Sequence, residues 1–502
     1  MNRRTAPADI CLILEGTYPY ITGGVSQWAH DLILALKDFK FHLVAIVPSG
    51  ADLVSRYELP ENVVGVSNLV LQDLPPGRSR IRHTKKFFED LTEPLSRVHS
   101  RGNLSDLAHL IDAFAPYKKQ LGFKILLDSR EAWKILLQMY ESEYSGNSFL
   151  DYFWSWRIIM SGFFSLLFTP IPPAGIYHAT STGFAGLLLA RAKLETQKPA
   201  LLTEHGIYTN ERRVEISMAQ WLYEQPFARL SIKKLKKDLK DLWINLFINY
   251  SRICYEACDK IITLFPGNQN FQKDDDANPE KLTVIPNGVN FDELSQIKRK
   301  KSDRPTIALI GRVVPIKDIK TYIRACAILK ERFPDLLAYI IGPTDEDESY
   351  FQECQELTHH LNLKNTLTFT GKVKLEPFLE KIDVNVLTSI SEAQPLVLLE
   401  VGAVGIPSVA TDVGSCSELI FGNELENPAL GPGGDITSLS NPVSTANAVF
   451  KLLTDRTWYH QCSQTCRERV RLYYNKENLI KTYKALYQGY LLENRNLKAV
   501  GT

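Results

Sequence analysis

The stretch DICLILEGTYPYITGGVSQWAHDLILALKDFKFHLVAIVP, residues 9–48, predicts the start of a parallel α/β domain. DICLILEG (9–16) is a compact apolar run typical of a buried strand. GGVSQWAHDLILALKD (23–38) places apolar residues at helical spacing, and FHLVAIVP (41–48) is a second strand pattern. A strand–helix–strand unit of this kind closes as a right-handed crossover within a parallel sheet.

The same alternation of strands and helices recurs in both halves of the chain. Further strand patterns are GIYHATS (175–181), ALLTEHG (200–206), KIITLFP (260–266), TIALIGRVVPIKD (306–318), LLAYIIGP (336–343), TLTFTGKV (366–373), VNVLTSIS (384–391) and PSVATDVG (407–414). They predict an α/β protein with two doubly wound, Rossmann-like domains that face a central crevice. Ligands of such sheets bind at the carboxyl ends of the strands.

The patterns also give expected domain boundaries. An N-terminal domain is predicted over residues 1–290, a charged linker over 291–303 and a C-terminal domain over 304–456. Helices over 457–502 are expected to cross back to the first domain. Residues 74–171 show helical patterns rich in aromatic residues, which predicts a helical insertion in the N-terminal domain. Its aromatic side chains are expected in the core, an acceptor platform and a docking face being the alternatives.

Composition narrows the class of protein. The 502 residues are 44% hydrophobic with a net charge of +1, which fits an ordered globular protein and gives no bulk electrostatic reason to bind nucleic acid. The most apolar window, 158–171, is shorter than a membrane-spanning helix. The N-terminus shows no signal-peptide pattern, so a cytoplasmic protein is expected. The eight scattered cysteines are interpreted as buried thiols and not as zinc ligands.

Two cations follow the first strand of the second series. Arg312 and Lys317 lie on one loop after Gly311, where the guanidinium fork and the mobile ammonium can converge on a diphosphate. The alternative is an ordinary pair of exposed loop residues.

The stretch SEAQPLVLLE, residues 391–400, contains two glutamates eight positions apart. On one helix that spacing is about 12 Å, too far for an acid/base pair acting on one bond. We therefore predict that Glu392 lies in a loop and that a helix starts at about Pro395 or Leu396, with its free N–H groups available to a phosphate. Glu392 would then reach a hexose hydroxyl and Glu400 a ribose. Alternatively, Glu392 complements the helix dipole and Glu400 is paired at the surface.

These residues resemble a known family. Glu392-x7-Glu400, followed by VGAVGIPSVATDVGSCSEL (401–419), is similar to the donor site of retaining glycosyltransferase family 4, which has the GT-B fold. The Gly311-Arg312-x4-Lys317 loop matches the phosphate clamp of that family, and VIPNGVN (284–290) matches its entry to the second domain. ILEGTYPYITGGVSQWAHDL (13–32) and TEHGIYTNERR (203–213) resemble the first domain of the Pel exopolysaccharide glycosyltransferases.

The resemblance implies roles for particular residues. The implied donor-binding residues are Gly23, Gly24, Arg312, Lys317, Glu392, Gln394, Pro395, Leu396, Val397 and Glu400, and the implied catalytic residues are His205, Arg312, Lys317 and Glu392. Arg312 and Lys317 would neutralise the diphosphate, Glu392 would hold the hexose and Glu400 the uridine ribose. His205 would contact the transferred sugar as the domains close. Glu204 and Arg212 are weaker candidates for the acceptor.

The implied reaction is transfer of a hexose, with glucose from UDP-glucose as the first choice, to a growing saccharide in Pel-type exopolysaccharide synthesis. Arg312, Lys317 and helix N-termini can stabilise the leaving diphosphate, so no required metal or cofactor is expected. Docking to an inner-membrane polysaccharide synthase complex is also expected. A glycogen-synthase-like enzyme, a nucleotide-sugar 2-epimerase and a catalytically silent nucleotide-sugar-binding subunit of a polymer-export complex remain alternatives. Ala393-Gln394-Pro395 departs from the Gly-aromatic pattern common in the family, so donor preference does not transfer from the family.

Overall fold

A computed structural model describes residues 7–500 except 52, 219–236, 301–303 and 425. Its contacts divide the chain into two compact units. The N-terminal unit comprises Met1–Val284 and Lys484–Thr502, and the C-terminal unit comprises Ile285–Tyr483.

The N-terminal unit contains a seven-stranded parallel sheet. Its elements in chain order are β1 Ala8–Glu15, α1 Gly24–Ala35, β2 Phe41–Val47, β3 Val63–Val70, α2 Thr84–Val98, α3 Leu104–Phe114, α4 Phe123–Leu126, α5 Arg130–Met139, α6 Phe149–Phe168, β4 Ala174–Ala179, α7 Gly183–Thr196, β5 Ala200–Glu204, α8 Tyr208–Met218, α9 Leu239–Ala257, β6 Lys260–Thr263, α10 Pro266–Asp274 and β7 Leu282–Val284. The strand order is β3-β2-β1-β4-β5-β6-β7, and every pair is parallel.

β1 lies between β2 and β4, with Ile10 opposite Phe41 on one side and Ile176 on the other. Consecutive residues of β1 from Ile10 to Leu14 are buried. Because successive side chains of a strand point to opposite faces, both faces of the sheet are covered at this strand. This explains why β1 reads as a continuous apolar run.

The chain between β3 and β4 forms the helices α2–α6. Tyr152, Trp156 and Phe163 of α6 are buried in the main hydrophobic cluster of the unit. Leu150 and Trp154 on the same helix are 62% and 54% exposed. Core packing therefore accounts for part of the aromatic content of this region.

The C-terminal unit contains a six-stranded parallel sheet of order β10-β9-β8-β11-β12-β13. Its elements in chain order are α11 Phe291–Leu294, β8 Thr306–Ile310, α12 Ile319–Arg332, β9 Leu337–Ile341, α13 Glu348–His360, β10 Leu367–Gly371, α14 Glu376–Leu379, β11 Val384–Leu387, α15 Leu396–Val404, β12 Ser408–Thr411, α16 Cys416–Phe421, β13 Gly434–Thr437, α17 Pro442–Thr454, α18 Arg456–Tyr473 and the start of α19 Lys476–Val500. The short helix α11 occupies the first part of the range predicted as linker, and 301–303 of that range lie outside the described residues.

The last helix, α19, is shared by the two units, since its residues from Lys484 onward belong to the N-terminal unit. Within that unit the Lys484 ammonium donates to Asp38 at 2.7 Å. The Tyr487 hydroxyl lies 2.7 Å from Nδ1 of the buried His178 on β4.

The predicted α/β class with two Rossmann-like parallel sheets is confirmed. Each strand pattern quoted from the sequence coincides with a strand, whereas β3, β7 and β13 were not predicted. The eight cysteines are free and buried, as predicted. Within the described part of the chain, no helix has both the length and the apolar composition to cross a membrane.

Candidate functional site

In the C-terminal sheet the strand order reverses between β8 and β11, which are neighbours although β9 and β10 lie between them in the sequence. Gly311 and Arg312 follow β8, and Ser389 and Glu392 follow β11. Such a switch point opens a crevice at the carboxyl ends of the strands, where ligands of α/β sheets bind. The structure thus brings two of the predicted motifs to one place.

Backbone and side-chain hydrogen bonds hold these two loops together. The Ile390 N–H donates to the Ile316 carbonyl at 2.8 Å. The Thr388 hydroxyl lies 3.0 Å from the carbonyl oxygens of Lys317 and Asp318. The loop after β8 is therefore fixed against the end of β11.

Lys317 and Glu392 form an ion pair at this junction. The Ser389 hydroxyl donates to the same carboxylate at 2.6 Å. The two charged side chains are 17% and 12% exposed, so water screens the pair less than it screens a surface pair. The pair therefore holds the Lys317 ammonium at the mouth of the sheet.

Arg312 points to a different carboxylate. Its guanidinium nitrogen Nη1 donates to both carboxylate oxygens of Glu346 at 2.6 and 2.7 Å. Both side chains are about half exposed, and exposed pairs of this type contribute at most about 1 kcal/mol. Glu346 can therefore give up Arg312 to a phosphate at little cost.

The helix α15 starts at Leu396 with Pro395 as its N-cap residue, which confirms the predicted start. No side chain caps this end, so the N–H groups of its first turn have no partner within the helix. Glu400 lies one turn further along. Burial raises the pKa of its carboxyl group, and no described residue forms a hydrogen bond or an ion pair with it. These features suit a ligand with phosphate and hydroxyl groups.

A tight turn after β12 supports the loop before α15. The Ser415 N–H donates to the Ala393 carbonyl at 2.9 Å. Gly414 has φ +54°, and a Cβ at this position would lie 2.1 Å from the Glu392 carbonyl oxygen. The backbone of the turn therefore approaches the loop more closely than any other residue type allows.

The N-terminal unit has its own cleft of about 500 Å³ at the carboxyl ends of its strands. Its lining includes Glu15 at the end of β1, Ile46 and Val47 at the end of β2, and His205 after β5. Tyr208, Glu211 and Arg212 of α8 also line it. Because strands β1 and β4 mark the switch point of this sheet, the cleft lies where ligands are expected.

His205 is buried against α1. Its ring meets the Trp28 ring edge-on at 4.7 Å between centroids. Burial lowers the pKa of His205 to about 4, so its imidazole is neutral near pH 7. Its Nε2 has no hydrogen-bond partner among the described residues. Gly24 begins α1 with Gly23 as N-cap, as the sequence predicted, so the helix carrying these glycines packs on His205.

The two weaker acceptor candidates differ in their surroundings. Arg212 lines the cleft, with its guanidinium 5.0 Å from the centre of the Tyr208 ring. Glu204 is 1% exposed, and its carboxylate accepts a hydrogen bond from the Tyr255 hydroxyl at 2.7 Å. Glu204 can therefore act on an acceptor through its neighbours and not by direct contact.

Sequence reasoning did not single out four further residues. Glu15 accepts from the Tyr208 hydroxyl at 2.7 Å in the N-terminal cleft, and Ser389 and Glu346 bind the charged groups of the C-terminal unit. A charged residue closing an apolar strand is a usable signal for Glu15. Tyr208 and Glu346 depend on contacts between distant parts of the chain, and Ser389 depends on the conformation of the loop after β11.

No set of three or more His, Cys, Asp or Glu side chains with metal-ligand geometry occurs within the described ranges. The charged groups described above in the two clefts are carboxylates and the cations Arg212, Arg312 and Lys317.

Two known families match this chain. The family described as Domain of unknown function (DUF3492) matches residues 8–280, more than half of the chain. Glycosyl transferases group 1 matches residues 290–469, the range that contains Arg312, Lys317, Glu392 and Glu400. The chain belongs to the DUF3492 family and is a group 1 glycosyltransferase of GT-B fold. These matches do not distinguish the predicted family 4 and Pel assignments from other group 1 glycosyltransferases, so both assignments stay predictions.

Individual proteins extend the comparison of this DUF3492 glycosyltransferase. It is 25% identical over 328 residues to the UDP-Gal:alpha-D-GlcNAc-diphosphoundecaprenol alpha-1,3-galactosyltransferase of Escherichia coli, covering 62% of this chain and 73% of that protein. Sucrose-phosphate synthase of Thermosynechococcus elongatus superposes with a TM-score of 0.58 at 16% identity, covering 96% and 99% of the two chains. Anabaena Alr3699/HepE, solved in complex with UDP, gives 0.59 at 14% identity, covering 96% and 100%. The two structures support the GT-B fold.

Proposed function

We propose that this chain is a retaining glycosyltransferase that transfers a hexose, with glucose from UDP-glucose as the first choice, to a growing saccharide. We further propose a PelF-type role in Pel exopolysaccharide synthesis, with docking to an inner-membrane polysaccharide synthase complex. The observation that carries the proposal is the junction of Lys317, Glu392 and the open N-terminus of α15 at the β8–β11 switch point.

The chemistry of transfer fits this junction. Breaking the bond between the anomeric carbon and the diphosphate leaves a nucleoside diphosphate that carries additional negative charge. Arg312, Lys317 and the first-turn N–H groups of α15 can stabilise that charge as fixed positive groups. We therefore propose that no metal ion is needed, and that Glu400 accepts hydrogen bonds from the ribose while Glu392 holds the hexose.

Two further points support a UDP-hexose donor and a saccharide acceptor. The Escherichia coli relative uses UDP-galactose according to its name. The N-terminal cleft combines Glu15, Arg212 and the partnerless Nε2 of His205 with apolar walls, a combination that suits sugar hydroxyls and ring faces. We propose this cleft as the acceptor site.

Replacing Lys317 or Glu400 by alanine tests the proposal. We expect Lys317→Ala to lower kcat/KM with UDP-glucose by about 10²-fold or more, since loss of one fixed group that stabilises transition-state charge costs that much. Glu400→Ala should raise KM for the donor. UDP release in the presence of acceptor saccharides measures both, and thermal stabilisation by UDP- and ADP-sugars measures donor binding.

Lys320→Ala is the matched control, because Lys320 lies three residues from Lys317 and pairs with Glu353. It should turn over normally. Near-normal turnover by Lys317→Ala at low donor concentration would contradict the assigned role. Binding of UDP-sugars without any turnover would instead identify a silent subunit, and conversion of the sugar without acceptor would identify an epimerase.

A further inference from the structure

Gln394 lies in the loop between Glu392 and α15, and its side chain is almost entirely buried at 7% exposure. Its Oε1 accepts a hydrogen bond from the Asn287 N–H at 2.8 Å. This bond fixes the orientation of the carboxamide, because a flipped amide would place two donors against each other. The other end of the group is therefore the donor Nε2.

Two polar atoms at this contact have no hydrogen-bond partner. They are Nε2 of Gln394 and Oδ1 of Asn287, and no described residue bonds to either. Nearly all buried polar side-chain atoms in proteins are hydrogen-bonded, so each exception needs an explanation. Here one atom is a donor and the other an acceptor, and they belong to residues that are already hydrogen-bonded to each other.

The chemistry of the pair selects a class of ligand group. A hydroxyl donates one hydrogen bond and accepts others, so it can satisfy both atoms at once. A phosphate oxygen could accept from Gln394 but would face the oxygen of Asn287 with like partial charge. The pair lies beside Glu392 and the first turn of α15, the part of the site assigned to the hexose.

We propose that Gln394 Nε2 and Asn287 Oδ1 together bind one hydroxyl of the donor hexose and that this contact selects the sugar. The inference rests on the proposed function and names its specificity determinant. It gives a physical role to the position at which this chain departs from the common Gly-aromatic pattern. A site built to bond a hydroxyl strongly rejects an analogue that lacks it, because its buried atoms are then left unpaired.

The test compares UDP-glucose with its 2-, 3-, 4- and 6-deoxy analogues as donors. We expect the wild-type protein to lose about 10²-fold or more in kcat/KM with one analogue. Gln394→Glu keeps an oxygen to accept from the Asn287 N–H but replaces the donor Nε2. This variant should transfer glucose poorly and lose the discrimination against that analogue.

Asn287→Ala should abolish discrimination against the same analogue. Asn385→Leu is the control, since Asn385 is a buried carboxamide of β11 whose Oδ1 is also partnerless but which lies within the sheet. It should keep the wild-type preference. A Gln394→Glu variant with unchanged discrimination would overturn the inference and leave the proposed function standing. Absence of transfer from any UDP-hexose by the wild-type protein would overturn both.

Discussion

Glu204 shows how a single buried residue can couple the protein to pH. Its carboxylate accepts from the Tyr255 hydroxyl at 2.7 Å and from Gln272 Nε2 at 2.8 Å, and it faces the start of α8. Burial raises its pKa from 4.5 to about 7, with the two hydrogen bonds acting in the opposite direction. The folded protein therefore holds a proton here that the unfolded chain releases near pH 4.5.

This difference predicts a stability that falls as pH rises. Below pH 4.5 the carboxyl group is protonated in both states, and between pH 4.5 and about 7 only the folded state keeps the proton. The ionisation of Glu204 should therefore lower the free energy of unfolding across this window. The glutamine of Glu204→Gln cannot ionise. The free energies of unfolding in urea at pH 5 and pH 8 should therefore differ by about 2–3 kcal/mol less in this variant than in the wild-type protein, at 1.36 kcal/mol per pKa unit.

Glu61→Gln, which removes an exposed carboxylate of the same unit, is the matched control and should unfold with the pH dependence of the wild-type protein. An identical pH dependence for Glu204→Gln and the wild-type protein would show that the carboxyl group titrates normally in the fold.

At the scale of single residues, the sequence predicted the candidate residues but not the side chains that they contact. Lys317 and Glu392 could be predicted because each follows an apolar strand that ends at the same edge of a sheet. Their ion pair could not be predicted, since the partners are 75 residues apart and the pairing depends on the loop conformations after β8 and β11. The contact between Arg312 and Glu346 has the same origin.

At the scale of elements, the strength of the sequence pattern decided which helices and strands could be predicted. The start of α15 was predictable because proline suits the first turn of a helix and an apolar run follows it. β3 was missed because its side chains alternate between exposed and partly buried and the strand includes Gly65. β13 was missed because two of its four residues are glycine and aspartate, which are depleted in strands, and β7 has only three residues.

Gly414 gives a prediction about the loop that carries Glu392. Gly414→Ala should reduce UDP affinity strongly, because its Cβ would collide with the carbonyl oxygens of Glu392 and Ala393 and displace the loop. Isothermal titration with UDP measures the affinity, and urea unfolding measures the stability of the variant.

Gly371→Ala serves as the control, since Gly371 also has a left-handed φ of +67° but no atom within 4 Å of the added Cβ. It should lose about 1–2 kcal/mol of stability from backbone strain and retain UDP affinity. Equal UDP affinity in both variants would show that the loop tolerates the displacement.

At the scale of the whole molecule, the two units have separate hydrophobic cores. A ligand of one unit should therefore stabilise that unit in particular. At a UDP concentration of 100 times Kd the C-terminal unit should gain about 2.7 kcal/mol. Hydrogen exchange should slow for the most protected amides of β8–β13 and stay unchanged for those of β1–β7. Equal slowing in both sheets would contradict assignment of the nucleotide to the C-terminal unit.

The shared helix α19 has a consequence for how the protein is made. The ribosome produces the strands of the N-terminal unit first and residues 285–483 next. The segment that begins at Lys484 follows and belongs to the N-terminal unit. Its Tyr487, which is hydrogen-bonded to His178, is synthesised 309 residues after that histidine. Residues 285–483 are thus complete in sequence before the Tyr487 hydroxyl that contacts His178 Nδ1 is made. The N-terminal unit therefore begins to emerge from the ribosome first, but the segment of α19 that belongs to it is made only after residues 285–483.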